Sequence, residues 1–122
     1  MHTERRLHRS DDTLEALALQ LEATADRAAC TALVLTAKDG LPVTEVGDDA
    51  AADEIAALAP TLVLDGRLWH GAIPTSAGER LVTVAPVPSD HGTLFLCAVG
   101  GLLCVLGPEL ALSGRGVKRI LS

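Results

Sequence analysis

The chain has 122 residues and a mass of 12.6 kDa, which corresponds to one domain because domains typically contain about 100–200 residues. Its formal net charge is −6, and it contains one Trp, one Phe and no Tyr. An acidic chain repels a phosphate backbone, and this one has almost no aromatic side chains on which bases could stack. Nucleic-acid binding is therefore disfavoured.

The three cysteines are Cys30, Cys97 and Cys104, and none belongs to a CxxC pair or has a histidine at ligand spacing. We interpret them as reduced thiols of a cytoplasmic protein, in preference to metal ligands or disulfides. Residues 1–12 lack the apolar segment of a secretory signal, and we interpret them as a flexible tail before a single domain over residues 13–122. The uncharged residues 93–108 are shorter than the roughly 20 residues of a spanning helix, so no stable membrane insertion is expected.

The first predicted element is a helix over residues 13–29. Asp12 followed by Glu15 resembles a capping box at its start. Its apolar face repeats at helical spacing and consists of Leu14, Leu17, Leu21, Ala25 and Ala28.

Two strands are predicted next, over residues 31–38 and 41–46. Asp39-Gly40 between them is typical of a two-residue hairpin turn in which both residues have positive φ. Both alternating sets of side chains in the first strand are apolar or small, which indicates a central strand covered on both faces.

A second helix is predicted over residues 49–64, because Ile55, Leu58 and Leu62 recur at helical spacing. Asp48 or Asp49 can accept hydrogen bonds from the free amides at its start. Pro60 predicts a kink or break, and Asp65-Gly66 predicts the helix end.

Three strands follow, over residues 68–75, 79–87 and 93–100, and they form a meander. Pro74 restricts the first of them to an edge position or to its own end, and Pro86 with Pro88 is expected to end the second. Residues 101–114 show no clean period. A short amphipathic last helix with basic residues at its end is predicted from Val117, Ile120 and Leu121 together with Arg115, Lys118 and Arg119.

This element order predicts an α+β domain, in which a five-stranded antiparallel sheet carries helices on both faces. We find no catalytic constellation, no cofactor motif and no phosphate-binding loop, and we predict that the chain is not an enzyme. His70 is interpreted as a surface or interface residue, and His91 as a polar turn residue. A divalent-cation site at Asp48, Asp49, Asp53 and Glu54 is conceivable, but the amides and dipole of the helix N-terminus explain these acids better.

The segments ALVLTAKDGLPVTEVG, AADEIAALAPTL, LWHGAI, RLVTVAPV and TLFLCAVGG together resemble the roadblock family of dynein-light-chain-type domains. The resemblance implies a homodimer in which the second helices pack together and the edge strands that follow them pair into one sheet. It also implies a small Ras-like GTPase as partner, since bacterial members act beside such GTPases. It places five residues near the two-fold axis: Leu58, Leu62, Leu68, Trp69 and Ile73.

Two features depart from the family pattern. The chain ends in LLCVLGPELAL and a short RGVKRILS, where family members have a clear amphipathic third helix, and Pro60 lies in the second helix. Trp69 is read about equally well as an interface anchor or as ordinary core packing.

The leading hypothesis is a non-enzymatic homodimeric scaffold that binds or regulates a small GTPase or a related assembly. The alternative is a small-molecule-sensing domain of the GAF or profilin type, with a pocket between sheet and helix.

Overall fold

A computed structural model describes residues 2–90, 92–101 and 103–121. These residues form a five-stranded antiparallel sheet of order β2-β1-β5-β4-β3 with helices on both faces, which confirms the predicted α+β fold. The elements are α1 (His2–Ala28), β1 (Cys30–Thr36), β2 (Pro42–Gly47), α2 (Ala52–Leu62), β3 (Trp69–Thr75), β4 (Gly78–Ser89), β5 (Gly92–Gly100) and α3 (Leu103–Leu121).

Strand β1 pairs with β2 on one side and with β5 on the other, and both of its faces are buried. Leu33 and Leu35 belong to the core under α1 and α3, whereas Ala32 and Val34 belong to the core under α2. Successive side chains of a strand point to opposite faces, so one short sequence contributes to both cores. The prediction of a central strand covered on both faces is confirmed.

Helix α1 begins at His2 and not near residue 13, so residues 2–12, predicted to be a tail, form its first part. Asp12 therefore lies inside the helix, and the capping box predicted from it and Glu15 is wrong. Where the folded domain begins stays a prediction. Further along, α1 lies beside α3, and the two helices are joined by an ion pair between Arg27 Nε and Glu109 Oε2 at 2.7 Å.

The hairpin between β1 and β2 uses a three-residue turn, not the two-residue turn predicted. Gly40 N–H donates to the Ala37 carbonyl at 2.9 Å, and Ala37 N–H donates to the Leu41 carbonyl at 3.0 Å. Gly40 has a φ of 85°, but Asp39 does not have positive φ. A left-handed glycine after a tight turn is the usual three-residue hairpin arrangement. Asp39 instead accepts a hydrogen bond from the Leu41 amide through Oδ1 at 3.1 Å.

Helix α2 starts later and ends earlier than the predicted range of 49–64. Asp49 lies before it and accepts the Ala51 amide through Oδ1 at 2.9 Å, as expected for an acid at a helix start. The helix continues through Pro60 and ends at Leu62, so of the predicted kink or break the break is wrong, and the kink stays a prediction. A proline in the final turn removes one hydrogen bond without interrupting the turns before it. The predicted end at Asp65-Gly66 lies in the loop that follows.

Strands β3, β4 and β5 form the predicted meander, and β3 lies at the edge of the sheet. Strand β4 does not end at Pro86 and Pro88 but continues to Ser89. Its pairing with β3 extends only to Val84, opposite Trp69, and beyond that point β4 pairs with β5 alone. An unpaired edge needs no backbone donors, so it tolerates both prolines.

Helix α3 spans residues that showed no clean period, and the prediction of only a short last helix is wrong. Its buried face consists of Leu106, Leu110, Ser113 and Val117, at helical spacing. Pro108 lies in the first half of this helix, where its missing N–H would have bonded to the carbonyl of the exposed Cys104. The chain therefore has the long third helix that the sequence pattern did not reveal. Among the described residues, no helix is long and apolar enough to cross a membrane.

Replacing Leu110 tests the register of α3. Leu110 is 1% exposed, whereas Leu112 on the same helix is 49% exposed. We expect Leu110→Ala to lower the free energy of unfolding by roughly 2–5 kcal/mol through cavity formation. The matched variant Leu112→Ala should change it by no more than about 0.5 kcal/mol. Urea unfolding followed by circular dichroism measures both, and equal effects would contradict the helix register.

Candidate functional site

The outer edge of β3 has no strand partner within the described chain. All seven residues of β3 pair with β4 on the inner side, from Trp69 opposite Val84 to Thr75 opposite Gly78. On the outer side the backbone amides and carbonyls are open, except that Pro74 lacks an N–H. An edge of this kind is a template for pairing with another chain.

Helix α2 covers the sheet on the face where Trp69 and Ile73 of β3 lie, and its outer face carries an exposed leucine. Its inner face is packed closely on the sheet because it is made of small residues around Ile55. Leu58, on the outer face, is 41% exposed. Leu62, one turn further along, is half-buried against the same core. The helix therefore offers apolar surface to solvent.

Trp69 lies where this core meets the free edge. Its side chain is half-buried and packs against the core under α2. The indole ring lies over Gly71, where an added Cβ would be 2.9 Å from Trp69 Cη2. Glycine at position 71 is thus what makes room for the ring. Trp69 combines the two interpretations considered from the sequence, since it packs on the core and still keeps exposed surface at the edge.

The five predicted interface residues do not occupy one continuous patch. Leu62 and Trp69 meet at the core under α2, and Leu58 lies on the outer face of that helix. Ile73 is 5% exposed and belongs to the core itself, and Leu68 is 44% exposed and lines a groove beside α3. Their assignment to a dimer contact stays a prediction.

An ion pair fixes the start of α2 to the sheet. Arg80 Nε of β4 lies 3.1 Å from Asp49 Oδ2, and the Asp49 side chain is only 8% exposed. Thr31 of β1 also donates to Asp49 Oδ2, at 3.3 Å. The hydrogen bond from the Ala51 amide, followed by the Arg80 and Thr31 contacts, lowers the pKa of Asp49 against the opposing effect of burial.

The other acids near α2 make separate contacts. Glu54 accepts the amide and the hydroxyl of Ser76, in the turn between β3 and β4, and both bonds lower the pKa of Glu54. Glu45 of β2 lies beside Asp53, and desolvation together with this neighbour raises the pKa of Glu45. Within the described ranges, no three acids, histidines or cysteines are grouped as metal ligands would be.

The candidate nucleophiles and bases are dispersed. His70 lies exposed on β3 with Nδ1 2.8 Å from Thr83 Oγ1, and His91 is outside the described residues. Cys97 is buried, which raises the pKa of its thiol to about 12 and leaves it protonated at neutral pH. Cys30 is half-buried, and burial raises its pKa as well. The Thr83 hydroxyl that His70 contacts is buried and closed to a substrate.

The structure has a groove between the sheet and a helix, where the small-molecule alternative expected a pocket, but its lining residues were not predicted from the sequence. It lies between α3 and the second half of β4, with a volume of about 430 Å³, and the loop before β3 closes one end. Small side chains, leucines and prolines make up most of its lining, and Arg115 and Lys118 complete it. Only the regular spacing of Leu106, Leu110 and Val117 could have indicated the helix that forms its wall. Gly107-Pro108 and Gly114 obscured that spacing.

Solved structures share this fold. A Roadblock/LC7 domain from Streptomyces avermitilis is 27% identical, with a TM-score of 0.65 over 85% of this chain and 96% of that one. A structure described as MglB with tetrameric arrangement is 13% identical, with a TM-score of 0.68 over 89% of this chain and 90% of the other. The gliding protein MglB from Thermus thermophilus is also 13% identical, with a TM-score of 0.67 over 89% and 90%. No protein-family model and no curated protein sequence matches the chain.

The Asp49–Arg80 pair predicts a pH-dependent contribution to stability. The folded-state pKa of Asp49 lies below its ordinary value of 3.8, so the contribution is complete above that pH and is lost as the pH falls through the folded-state pKa. We expect Asp49→Asn to cost roughly 1–2 kcal/mol at pH 7, because it removes charge-assisted hydrogen bonds. The difference from wild type should shrink by pH 3 in urea unfolding.

The exposed neighbour Asp48 provides the control for net charge. Asp48→Asn removes the same charge from outside the ion pair and should leave stability at pH 7 within about 0.5 kcal/mol of wild type. An equal loss in both variants would show that overall charge, and not the contact with Arg80, is responsible.

Proposed function

Because this chain is a roadblock-type domain, we propose that it is a non-enzymatic homodimeric interaction module that binds or regulates a small Ras-like GTPase or a related assembly. The observation that carries the proposal is the open outer edge of β3 beside the exposed apolar surface of α2. Its site of action is the cytoplasm, in keeping with three free thiols.

The edge supports a two-fold contact between copies. If two β3 strands pair in antiparallel fashion, the two sheets become one, and each strand supplies hydrogen-bonding groups that the other lacks. The same symmetry brings the two α2 helices together. Their outer faces then bury Leu58 and the exposed part of Trp69, and an apolar side chain that becomes fully buried contributes about 1.5–3 kcal/mol.

The polar contacts around α2 support the same surface. The ion pair between Asp49 and Arg80 and the bonds from Ser76 to Glu54 hold the first turns of α2 against β4 and the β3–β4 turn. A helix held at a fixed position relative to the edge strand presents a preorganised surface, and preorganisation lowers the entropic cost of association. We propose that these contacts hold α2 and the β3 edge in the relative position that a second copy of the chain would bind.

The GTPase partner is proposed from the family resemblance, which includes bacterial members that act beside such proteins. The fold shared with MglB structures supports the proposal at the level of architecture. The acidic charge of the chain favours a partner with a basic docking surface, because complementary charge speeds encounter.

A second candidate function is small-molecule sensing. It is favoured by the groove of about 430 Å³ between α3 and β4, a volume within the roughly 300–1,000 Å³ of known ligand sites. The two functions use different surfaces, since the groove lies on the sheet face opposite α2. A sensor could therefore also dimerise through β3.

Replacing Leu58 tests the dimer. A glutamate at this position would place a charge inside the proposed contact, so we expect Leu58→Glu to shift the mass from dimer to monomer. Light scattering over a dilution series measures the mass, because dimer stability depends on protomer concentration. Leu112→Glu is the matched control, since Leu112 is a helical leucine of similar exposure (49% against 41%) on the other face of the sheet. A wild-type monomer at every concentration would overturn the proposal.

Partner binding is tested with a small Ras-like GTPase encoded in the same genome, loaded with GDP or with a non-hydrolysable GTP analogue. We expect isothermal titration calorimetry to show binding that differs at least about tenfold between the two nucleotide states, a difference of about 1.4 kcal/mol. The Leu58→Glu monomer should bind more weakly than Leu112→Glu. Equal affinity for both nucleotide states, or no binding, would contradict the GTPase assignment without affecting the dimer.

A further inference from the structure

The α3–β4 groove, as we name the cavity between α3 and residues 85–88 of β4, is the site of the small-molecule alternative, and it lies on the sheet face opposite α2. Its volume is about 430 Å³, and Leu68 in the loop before β3 lines one end. The floor is apolar because Ala85 and Val87 point toward α3 and join the core beneath it. A cavity of this volume accepts a small molecule of about the size of a medium-chain lipid.

Two glycines keep the groove open without serving the packing of the protein. An added Cβ at Gly107 would meet no atom within 4 Å, and one at Gly114 would reach Val87 at an ordinary contact distance of 3.4 Å. By contrast, Gly116 is required by packing, since an added Cβ would collide with the Gln20 side chain of α1. Glycine inside a helix is destabilising relative to alanine. At positions 107 and 114 no close contact requires a glycine. What these glycines provide is empty space in the groove.

The edge of β4 beside the groove does not suit an added strand. Residues 85–88 have no strand partner on this side within the described chain, which would normally invite strand pairing. Pro86 and Pro88 lie in this stretch and supply no N–H. An extended peptide paired here would meet backbone carbonyls of β4 but not the N–H donors that strand addition also requires. The groove favours an occupant that contributes apolar volume instead of a backbone.

Two cations mark one end of the groove. Arg115 and Lys118 are both exposed, lie one turn apart on α3, and pair with no acid in the described part of the chain. The chain as a whole has a net charge of −6. The surface around Arg115 and Lys118 therefore carries positive charge on an otherwise acidic protein. An anionic group held at this end would accept hydrogen bonds from both side chains.

We propose that the α3–β4 groove binds a small amphiphilic carboxylate, a medium-chain fatty acid by chemical class, with its carboxylate at Arg115 and Lys118 and its alkyl chain along Gly107, Ala111 and Gly114. The apolar floor removes the alkyl chain from water, which favours binding in proportion to the apolar area buried. The two cations fix the orientation of the ligand. The site requires neither the dimer nor the GTPase.

Decanoate is the probe, titrated below its micelle-forming range into the full chain by isothermal titration calorimetry. We expect saturable binding of one decanoate per protomer, and at least about tenfold weaker binding of decanol, which lacks the charge. The double variant R115Q/K118Q should weaken decanoate by a similar factor and leave decanol unchanged. Lys38→Gln removes an exposed cation on the hairpin between β1 and β2, at the other side of the sheet, and should bind decanoate as wild type does.

Filling the groove separates binding inside it from adsorption elsewhere. Gly107→Leu places a side chain in open space and raises helix propensity, so the variant should fold and should lose decanoate binding. Ala111→Leu, at a second groove-lining position, should do the same. No binding by wild type, or unchanged binding in both filled variants, would overturn the proposal. If the filled variants instead lose GTPase binding while wild type does not bind decanoate, the groove is a protein-docking surface and the fatty-acid assignment is wrong.

Discussion

Strands β1 and β5 lie at the middle of the sheet and bury both of their faces, and most of the architecture follows from that constraint. Side chains that alternate between two apolar faces need a cover on each side. Helix α2 covers one face with small residues around Ile55, and α1 with α3 covers the other. The protein is consequently a three-layer domain with two separate cores, and neither core is complete without the central pair.

The helices on the two faces do not cover the sheet equally. Both candidate surfaces, the β3 edge and the α3–β4 groove, lie beside parts of the sheet that no helix covers completely. Helix α2 has only 11 residues and leaves the outer edge of β3 open. On the opposite face, α3 passes over β4 on small residues and leaves a groove. Binding surfaces at the margins of a rigid scaffold are common, because the scaffold supplies the precision that flexible segments lack. The domain thus offers one backbone edge at β3 and one apolar groove on the sheet face opposite α2.

The sequence predicted what depends on local pattern and missed what depends on contacts distant in the chain. The apolar side chains on both faces of β1 were sufficient to place it at the centre, and Pro74 restricted β3 to an edge position or placed the proline at the end of its strand. Pro86 and Pro88 were misread because their tolerance depends on β3 ending opposite Val84, which no local pattern reports. The ion pair of Asp49 with Arg80 likewise depends on the meeting of two distant segments. Helix α3 was missed because glycines and Pro108 suggested an interruption, although its buried face keeps a regular period.

The register of the central pair also sets an order for folding. Leu33 in β1 pairs with Ala98 in β5, and the whole of α2, β3 and β4 lies between them in the chain. Such a contact closes a long loop, whereas the β3–β4–β5 meander closes only short ones. The meander and the β1–β2 hairpin can therefore form early and separately, and the centre of the sheet joins last. During synthesis on the ribosome, β1 lacks its β5 partner until α2, β3 and β4 have been made, and a nascent chain with an exposed apolar strand is prone to aggregation.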